Sequence, residues 1–455
     1  MNPFELFSAL LVGCCLIACD AQAAAERPHI LLIVADDLGW NDVGYHGSEI
    51  RTPRIDGLAA SGVRSEQFYV LPTCTPSRAA LLTGRHPIRY GLQRDVIRPW
   101  HRHGLDLGER TLAELFQGAG YFTVLIGKWH LGMAEPAHLP TRRGFSHHYG
   151  LYGGMVDYFQ HTRFKGLDWH RNGSPLRERG YSTDLLAAEA VSLVQAHDPS
   201  QPILMVLSFN APHTPLQAPR SDIRAYSDIR DPRRRVYAAM VSRMDGAIGD
   251  VLDAFQARGM LEKTLILFVS DNGGDPEEGA SNTPLRGGKR SLSEGGVRVP
   301  AVWRWPGSLP ADRQTDVPMH AVDVIPTLLS AAGIPVPEAA SLDGADLLPA
   351  LRGGAAPERE ILLNLTEGEA ALRVGRWKLI VTGSLDRPDS TALYDLVADP
   401  VERQDRSAED PARVRDLLAR LMHYRESAVP ALSLSSEPPE GYKPESIWGA
   451  SAEAR

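Results

Sequence analysis

Cysteine is scarce, and most of it sits at one end. The 455-residue chain has four cysteines; Cys14, Cys15 and Cys19 crowd the N-terminus, and Cys74 alone belongs to the body. A lone cysteine cannot close an intramolecular disulfide, so a disulfide-stapled scaffold is excluded. On count alone, Cys74 reads as a small buried apolar side chain. An excess of positive charge is also missing: 48 Lys and Arg face 56 Asp and Glu, a formal net charge of −8. That argues against sequence-blind binding to nucleic acid, although a site can still be locally positive toward an anionic ligand. There is no repeat period and no sign of bulk disorder. No apolar run is long enough to cross a bilayer comfortably; Leu6 to Ala18 falls short. What is present is ordinary for a globular chain, 43% hydrophobic and 23% charged. The length allows one large core and a smaller second unit.

Residues 1–25 read as an export signal, with polar sequence following the apolar run. Two ends to it are possible. Leu16-Ile17-Ala18-Cys19 has the form of a lipobox, which would place a lipid anchor on Cys19. Ala21-Gln22-Ala23 has the form of an ordinary small-x-small cleavage site. Either way the expected location is periplasmic or extracellular. One feature departs from the pattern: no Lys or Arg precedes the apolar run, and Glu5 is acidic.

Four short continuous apolar runs have the character of buried parallel strands: Ile30 to Ala35, Phe122 to Ile126, Ile203 to Phe209 and Leu265 to Ser270. Helical patterns lie between them, at Thr111 to Gly118 and at Arg235 to Phe255, where Val236, Met240, Met244, Ile248, Val251 and Phe255 form one stripe. The alternation predicts an α/β fold: a large, mostly parallel sheet sandwiched by helices, over residues 27–351. Arg352 to Pro357 reads as a linker. Residues 358–432 then predict a small C-terminal subdomain. Its antiparallel strands are Glu360 to Leu365, Ala371 to Val374, Trp377 to Val381 and Ala392 to Asp395, with a hairpin turn at Gly375-Arg376 and a helix from Asp410 to Tyr424. Residues 433–455, rich in Pro, Ser and Glu, predict an extended tail.

Each of the four core strands runs into polar residues: Asp36-Asp37, Lys128 and His130, Asn210 and His213, and Asp271-Asn272. In an open α/β sheet, the carboxyl ends of the strands form the ligand crevice. Asp36, Asp37, Asp271 and Asn272 make an oxygen-rich set suited to a hard cation such as Ca²⁺ or Mg²⁺ rather than zinc. Any one such pair alone reads more simply as a turn or a cap. Cys74-Thr75-Pro76-Ser77-Arg78 is the sharpest pattern. Pro76 fits a first helical turn, Thr75 can cap it, and Gly84 can end the helix after Ala79 to Leu82. Cys74 would then lie at a helix N-terminus, where backbone N–H groups favour an anion, with Arg78 one turn on. A nucleophile, an anion hole and a cation together suit attack on a tetrahedral oxyanion. His213 lies in a proline-stiffened loop, Ala211 to Pro215, and Lys289 in a glycine loop, Arg286 to Arg290. Taken singly, Lys128, His130, His213 and Lys289 read as solvated or satisfied side chains.

Taken together, these residues resemble a known family. Cys74-Thr75-Pro76-Ser77-Arg78, continued through Gly84, is similar to the signature of formylglycine-dependent sulfatases of the alkaline phosphatase superfamily. Gly127-Lys128-Trp129-His130-Leu131-Gly132 resembles their second signature. Leu139 to Phe145 and Pro284 to Gly287 are in the style of arylsulfatase B-type members, and the likeness runs from about His29 to the C-terminal helix. The resemblance implies a sulfuric ester hydrolase acting on aryl sulfates in vitro and on sulfated sugars such as N-acetylgalactosamine 4-sulfate. Cys74 would be oxidised to formylglycine by a maturation enzyme, and its hydrate would be the nucleophile. Asp36, Asp37, Asp271, Asn272 and the modified Cys74 would bind one Ca²⁺, with Mg²⁺ second. Arg78 would hold the hydrate. Lys128, His213 and Lys289 would grip the sulfate, with His213 protonating the leaving oxygen. His130 would help release sulfate and regenerate the aldehyde.

Two other readings share this scaffold. Phosphonate monoester and phosphodiester hydrolases carry a similar Cys-x-Pro-x-Arg motif, and a non-catalytic exported binding protein would retain the fold with a degenerate site. The intact residue set argues against the second. Specificity is expected in the loops Arg94 to His103 and Tyr149 to Lys165. His101, His103, His147 and His148 read as surface residues. Asn364-Leu365-Thr366 has the form of a glycosylation acceptor, but it falls in an expected strand.

Overall fold

The structure is a computed structural model that describes residues 27–432 and 435–449. The expected export signal and Cys19 lie outside the described residues, as does part of the C-terminal tail. At the centre is a ten-stranded sheet. Four parallel neighbours form its middle, in the order Thr264–Ser270, His29–Ala35, Ile203–Ser208 and Phe122–Gly127. These are the four expected strands, each differing by one residue at one end. Short strands extend the sheet on both sides, beginning with antiparallel Ala301–Arg304 beyond Thr264–Ser270 and parallel His147–Gly150 beyond Phe122–Gly127.

The strands read as unbroken apolar runs because both faces are covered. Alternate residues of His29–Ala35 serve opposite cores. Leu31, Ile33 and Ala35 pack with Met240, Met244 and Ile248 of the long helix Pro232–Ala257. Ile30, Leu32 and Val34 pack with Ala79 to Leu82 of the helix Cys74–Thr83 and with Val324–Ala331. The helix Leu112–Gly118 starts on a capping box: Thr111 accepts from the Glu114 backbone N–H, and Glu114 reaches back to the Thr111 N–H.

The C-terminal strands Glu360–Leu365, Glu369–Val374, Trp377–Ser384 and Arg387–Asp395 form a four-stranded antiparallel meander, covered by the helix Pro411–Glu426 through Leu417 and Leu421. Gly375, at φ 57°, makes the expected hairpin turn. This sheet is tied to the main body by a buried ion network. Lys378 Nζ lies 2.8 Å from Glu294 Oε1 and 2.8 Å from Glu402 Oε1, and all three side chains are fully buried. Arg373 donates to the Tyr69 hydroxyl, which donates to Glu294. Residues 435–449 fold back over the main domain. Ile447 bridges to Leu167, and the Trp448 indole is buried, donating to the Arg163 carbonyl at 3.0 Å. Among the described residues, no helix is long and apolar enough to cross a membrane.

Candidate active site

The strand order places four polar turns side by side. Asp36 and Asp37 leave one strand, Asp271 and Asn272 its neighbour, His213 the loop after the third, and Lys128 and His130 the fourth. Gly127 makes the last exit possible. Its φ is 110°, and a Cβ there would lie 1.8 Å from the Ser208 carbonyl oxygen. Asp37 and His130 themselves hold left-handed backbone, φ 69° and 60°. Such strain in a non-glycine residue persists where the surroundings impose it, and it clusters at functional sites.

The helix Cys74–Thr83 enters this row N-terminus first and ends on Gly84 in the left-handed region, as expected. The start differs from expectation. Helical backbone begins at Cys74, so Thr75 lies inside the first turn and cannot cap it. Its hydroxyl instead donates to the His130 carbonyl and accepts from Ile97 N, both at 3.1 Å. Ser77 does the stapling, exchanging two hydrogen bonds with the Leu71 backbone.

The resulting constellation is compact. Cys74 Sγ lies 3.6 Å from Asp36 Oδ1. Lys128 Nζ donates to Asp36 Oδ2 at 2.6 Å, and Lys289 Nζ to Asp37 Oδ2 at 2.7 Å. Asn272 Nδ2 donates to Asp37 Oδ1 at 2.7 Å. His213 Nε2 is 3.6 Å from Asp37 Oδ2, while its Nδ1 lies 2.8 Å from the Thr214 carbonyl, which fixes the ring. His130 Nε2 lies 2.9 Å from the Ile97 carbonyl. All the expected site residues are thus brought together. Arg78 is buried beside the cluster, with its Nη2 3.8 Å from Asp36 Oδ2 and without a hydrogen-bond partner among the described residues. Its Nε donates to Asp271 Oδ2 at 2.8 Å, and its NH1 to Ser208 Oγ and the Lys128 carbonyl. It therefore holds the carboxylate and strand ends in register.

The donor set fits a hard cation. Asp36, Asp37, Cys74 and His213 each offer an atom within 4.8 Å of the others'. Asn272 Oδ1 is buried and has no hydrogen-bond partner among the described residues, an acceptor left open on a side chain that already touches Asp37. The charges are strongly coupled to burial. Burial opposes the charge on Asp37, but Lys289 and His213 outweigh it and hold this carboxyl well below the usual range. Asp271 is pushed up by burial and by the adjacent Asp36 charge, against Arg78. Burial lowers His213 to about 3, with Lys289 adding to the effect, and drives His130 well below its ordinary value. Both rings are neutral in the resting protein. Burial pushes the Cys74 thiol up to about 12 despite Lys128 and Lys289. An unmodified thiol here is protonated at neutral pH and is a poor nucleophile.

Above the cluster opens a cavity of about 460 Å³. Its floor is Cys74, Asp37, His130, His213 and Lys289, and its walls include Arg94 to Arg98, Gly154, Met155 and Arg163. Both loops expected to carry specificity therefore line it. Gly154 must be glycine, because a Cβ would come within 2.6 Å of the His130 ring. Asn364 and Glu369, from the C-terminal sheet, also line the cavity. Nothing in their local sequence signals this, since only the packing of two sheets brings them there. Asn364 is buried in its strand, as the reading of that tripeptide anticipated. The histidine expectation is corrected: His101, His147 and His148 are buried, and only His103 is exposed. His147 and His148 lie in a strand that pairs with Phe122–Gly127, which local sequence gave no reason to place there.

Comparison with known proteins gives a consistent picture. The family model "Sulfatase" matches residues 28–334, and "N-sulphoglucosamine sulphohydrolase, C-terminal" matches residues 288–426. Mouse arylsulfatase J is 35% identical, over 90% of this chain and 77% of its own length. Dog N-acetylgalactosamine-6-sulfatase is 33% identical, over 79% of this chain and 72% of its own. Among solved structures, Ps i-CgsB in complex with k-i-k-neocarrahexaose superposes with a TM-score of 0.84 at 35% identity, covering 90% of this chain and 95% of that one.

Proposed function

The chain belongs to the sulfatase family and hydrolyses sulfate esters, and from that premise we propose that it acts on sulfated sugars through a formylglycine made from Cys74 beside one bound Ca²⁺. The observation that carries the chemistry is the state of Cys74. It forms the floor of a charged cavity, yet its own thiol is pushed up to about 12 and is unfit for attack without modification. A maturation enzyme is the partner this reading calls for. Asp36, Asp37, Asp271 and Asn272 would hold the cation. Their all-oxygen set favours Ca²⁺ over Mg²⁺, which keeps more of its own water. When present, the cation neutralises sulfate charge, and the formylglycine hydrate supplies the attacking oxygen.

The chain's other residues have separable tasks. Lys289, which lines the cavity, and Lys128, buried on Asp36, would offset the sulfate charge. His213, oriented through Nδ1 by Thr214, presents Nε2 to the leaving alcohol. It is neutral at rest, and a bound anion favours the protonated ring that burial disfavours. His130 is neutral and its Nδ1 has no hydrogen-bond partner among the described residues, so this nitrogen would take the proton as sulfate departs. Arg78 positions Asp271 and the Lys128 carbonyl. Sulfated sugars as substrates are supported by the names of two relatives, the galactosamine sulfatase and the carrahexaose-bound structure. N-acetylgalactosamine 4-sulfate is our specific candidate. An exported location, periplasmic or extracellular, is supported by the Leu6 to Ala18 apolar run and the two cleavage patterns after it.

The test is a paired rate assay on protein co-expressed with a formylglycine-generating enzyme, using a chromogenic aryl sulfate and a chromogenic phosphodiester. We expect the sulfate rate to dominate and to vanish in Cys74→Ala. A dominant diesterase rate would move the chain to the phosphonate and phosphodiester branch.

A further inference from the structure

The cavity is larger than one sulfate group needs and falls in the range of pockets that enclose whole small ligands. The other arginines on its wall are already matched, while Glu278 and Glu369 add negative charge to the lining. Arg98 pairs with Asp95 at 2.7 Å and Arg290 with Asp275 at 2.9 Å, and Arg94 lies 3.6 Å from the exposed Glu367. Arg163 is different. Its guanidinium makes no hydrogen bond and no ion pair among the described residues, although it is only partly accessible and lines the cavity. Burial weakens its charge, with Asp168 opposing this and Arg98 adding to it. Its guanidinium carbon lies 5.4 Å from the centroid of the Phe164 ring.

The backbone that carries Arg163 is firmly held. Thr162–Arg163 pairs with Gly166–Leu167, and the Arg163 carbonyl accepts from the Trp448 indole. Its position is thus set by the fold, while its charged end makes no hydrogen bond or short ion pair with an anion among the described residues, Asp168 acting on it only at longer range. A part-buried charge is costly until something pairs with it. A planar guanidinium is shaped to take a carboxylate or sulfate through two parallel hydrogen bonds. The scissile sulfate does not need it, because Lys128 and Lys289 already stand on Asp36 and Asp37, the carboxylates beside Cys74.

We propose that Arg163 anchors a second anionic group of the substrate, so that the preferred ester carries another carboxylate or sulfate on the same or the adjoining sugar. This rests on the sulfatase reading above. The shared chemistry is an oxyanion at a fixed distance from the reacting sulfate; a uronate and a second sulfate are its two sources.

The test is competition against turnover of a chromogenic aryl sulfate by the formylglycine-bearing enzyme. Three probes are used: singly sulfated N-acetylgalactosamine, its disulfated form, and a singly sulfated disaccharide with a uronic acid. Wild type should bind at least one two-anion probe roughly tenfold more tightly than the single-anion sugar, the scale of one charge-assisted bidentate pair. The probe that wins identifies the source of the anion. Arg163→Ala should collapse that ratio, and Arg163→Lys should restore part of it. Melting temperatures report on the fold; removing an unmatched charge should not lower Tm, whereas a structural arginine would. No preference in wild type, or a preference that survives Arg163→Ala, overturns the proposal. An aryl sulfate rate that falls in step with sugar affinity overturns it too, by assigning Arg163 to the reacting sulfate. If wild type turns over no sulfate ester, the sulfatase reading itself fails, and this inference goes with it.

Discussion

At the scale of single residues, chemistry and stability separate cleanly at Cys74 and do not separate at Asp271. Cys74→Ala removes one buried heavy atom from a helix whose other contacts remain. The expected cost is roughly 1 kcal/mol, with complete loss of turnover. A thermal melt and a sulfate assay on the same sample check both; retained activity would remove Cys74 from the mechanism. Asp271→Ala is expected to do two things at once. It should lower Ca²⁺ content, measured by elemental analysis. It should also leave the Arg78 guanidinium, 3% exposed, without its 2.8 Å partner. Breaking a buried pair in this way costs about 3–5 kcal/mol. Unchanged metal content in a destabilised variant would leave Asp271 a purely structural role.

At the scale of elements, the two sheets meet through Lys378. The Lys378→Ala variant strands Glu294 and Glu402 in the interior, and a loss of about 3–5 kcal/mol is expected in urea unfolding. Because Asn364 and Glu369 reach the cavity from that same sheet, KM should rise more than kcat falls. An unaltered KM would show that the C-terminal sheet contributes nothing to substrate binding. This junction also marks where sequence reading ends. The core strands were legible because a strand covered on both faces is apolar throughout, and because polar residues at its carboxyl end stand out against that run. The helix from Cys74 to Thr83 was legible from Pro76 and Gly84. Thr75 was misplaced by two residues, the cap position being Thr73, since a threonine beside a helix start looks the same as a cap or as an internal residue. Arg163, Asn364 and Glu369 left no local trace, because their relation to Cys74 exists only once distant loops and the second sheet have packed. The buried histidines were misread for a related reason: a polar residue in a short strand gives no periodic apolar signal.

At the scale of the whole molecule, buried neutral histidines should make the fold sensitive to mild acid. His148, fully buried beside the Phe122–Gly127 strand, is lowered to about 3 by burial, with His170 next in effect. His86, far from it against the C-terminal helix residue Tyr424, is lowered to about 4 by burial, partly opposed by Asp343. The unfolded chain titrates these rings near pH 6.5, so it takes up protons first as pH falls. Stability is therefore intact above that value and is lost on acidification, until pH reaches the folded values near 3 and 4. The slope is about 1.4 kcal/mol per pH unit for each ring. Asp245 works the other way: burial raises it to about 6, so its charge destabilises the fold as pH rises from the normal carboxylate range toward 6. The net slope between pH 5 and 6.5 is a contest between these groups, and a difference measurement resolves it. Urea midpoints for wild type and His148→Phe, taken across that window, should diverge, with the variant declining less steeply by about one proton's worth. Phenylalanine can keep the stack against Tyr152, where the rings lie 5.1 Å apart at 18°. Parallel declines would mean that His148 does not carry the acid sensitivity and that the proton is taken up elsewhere in the fold.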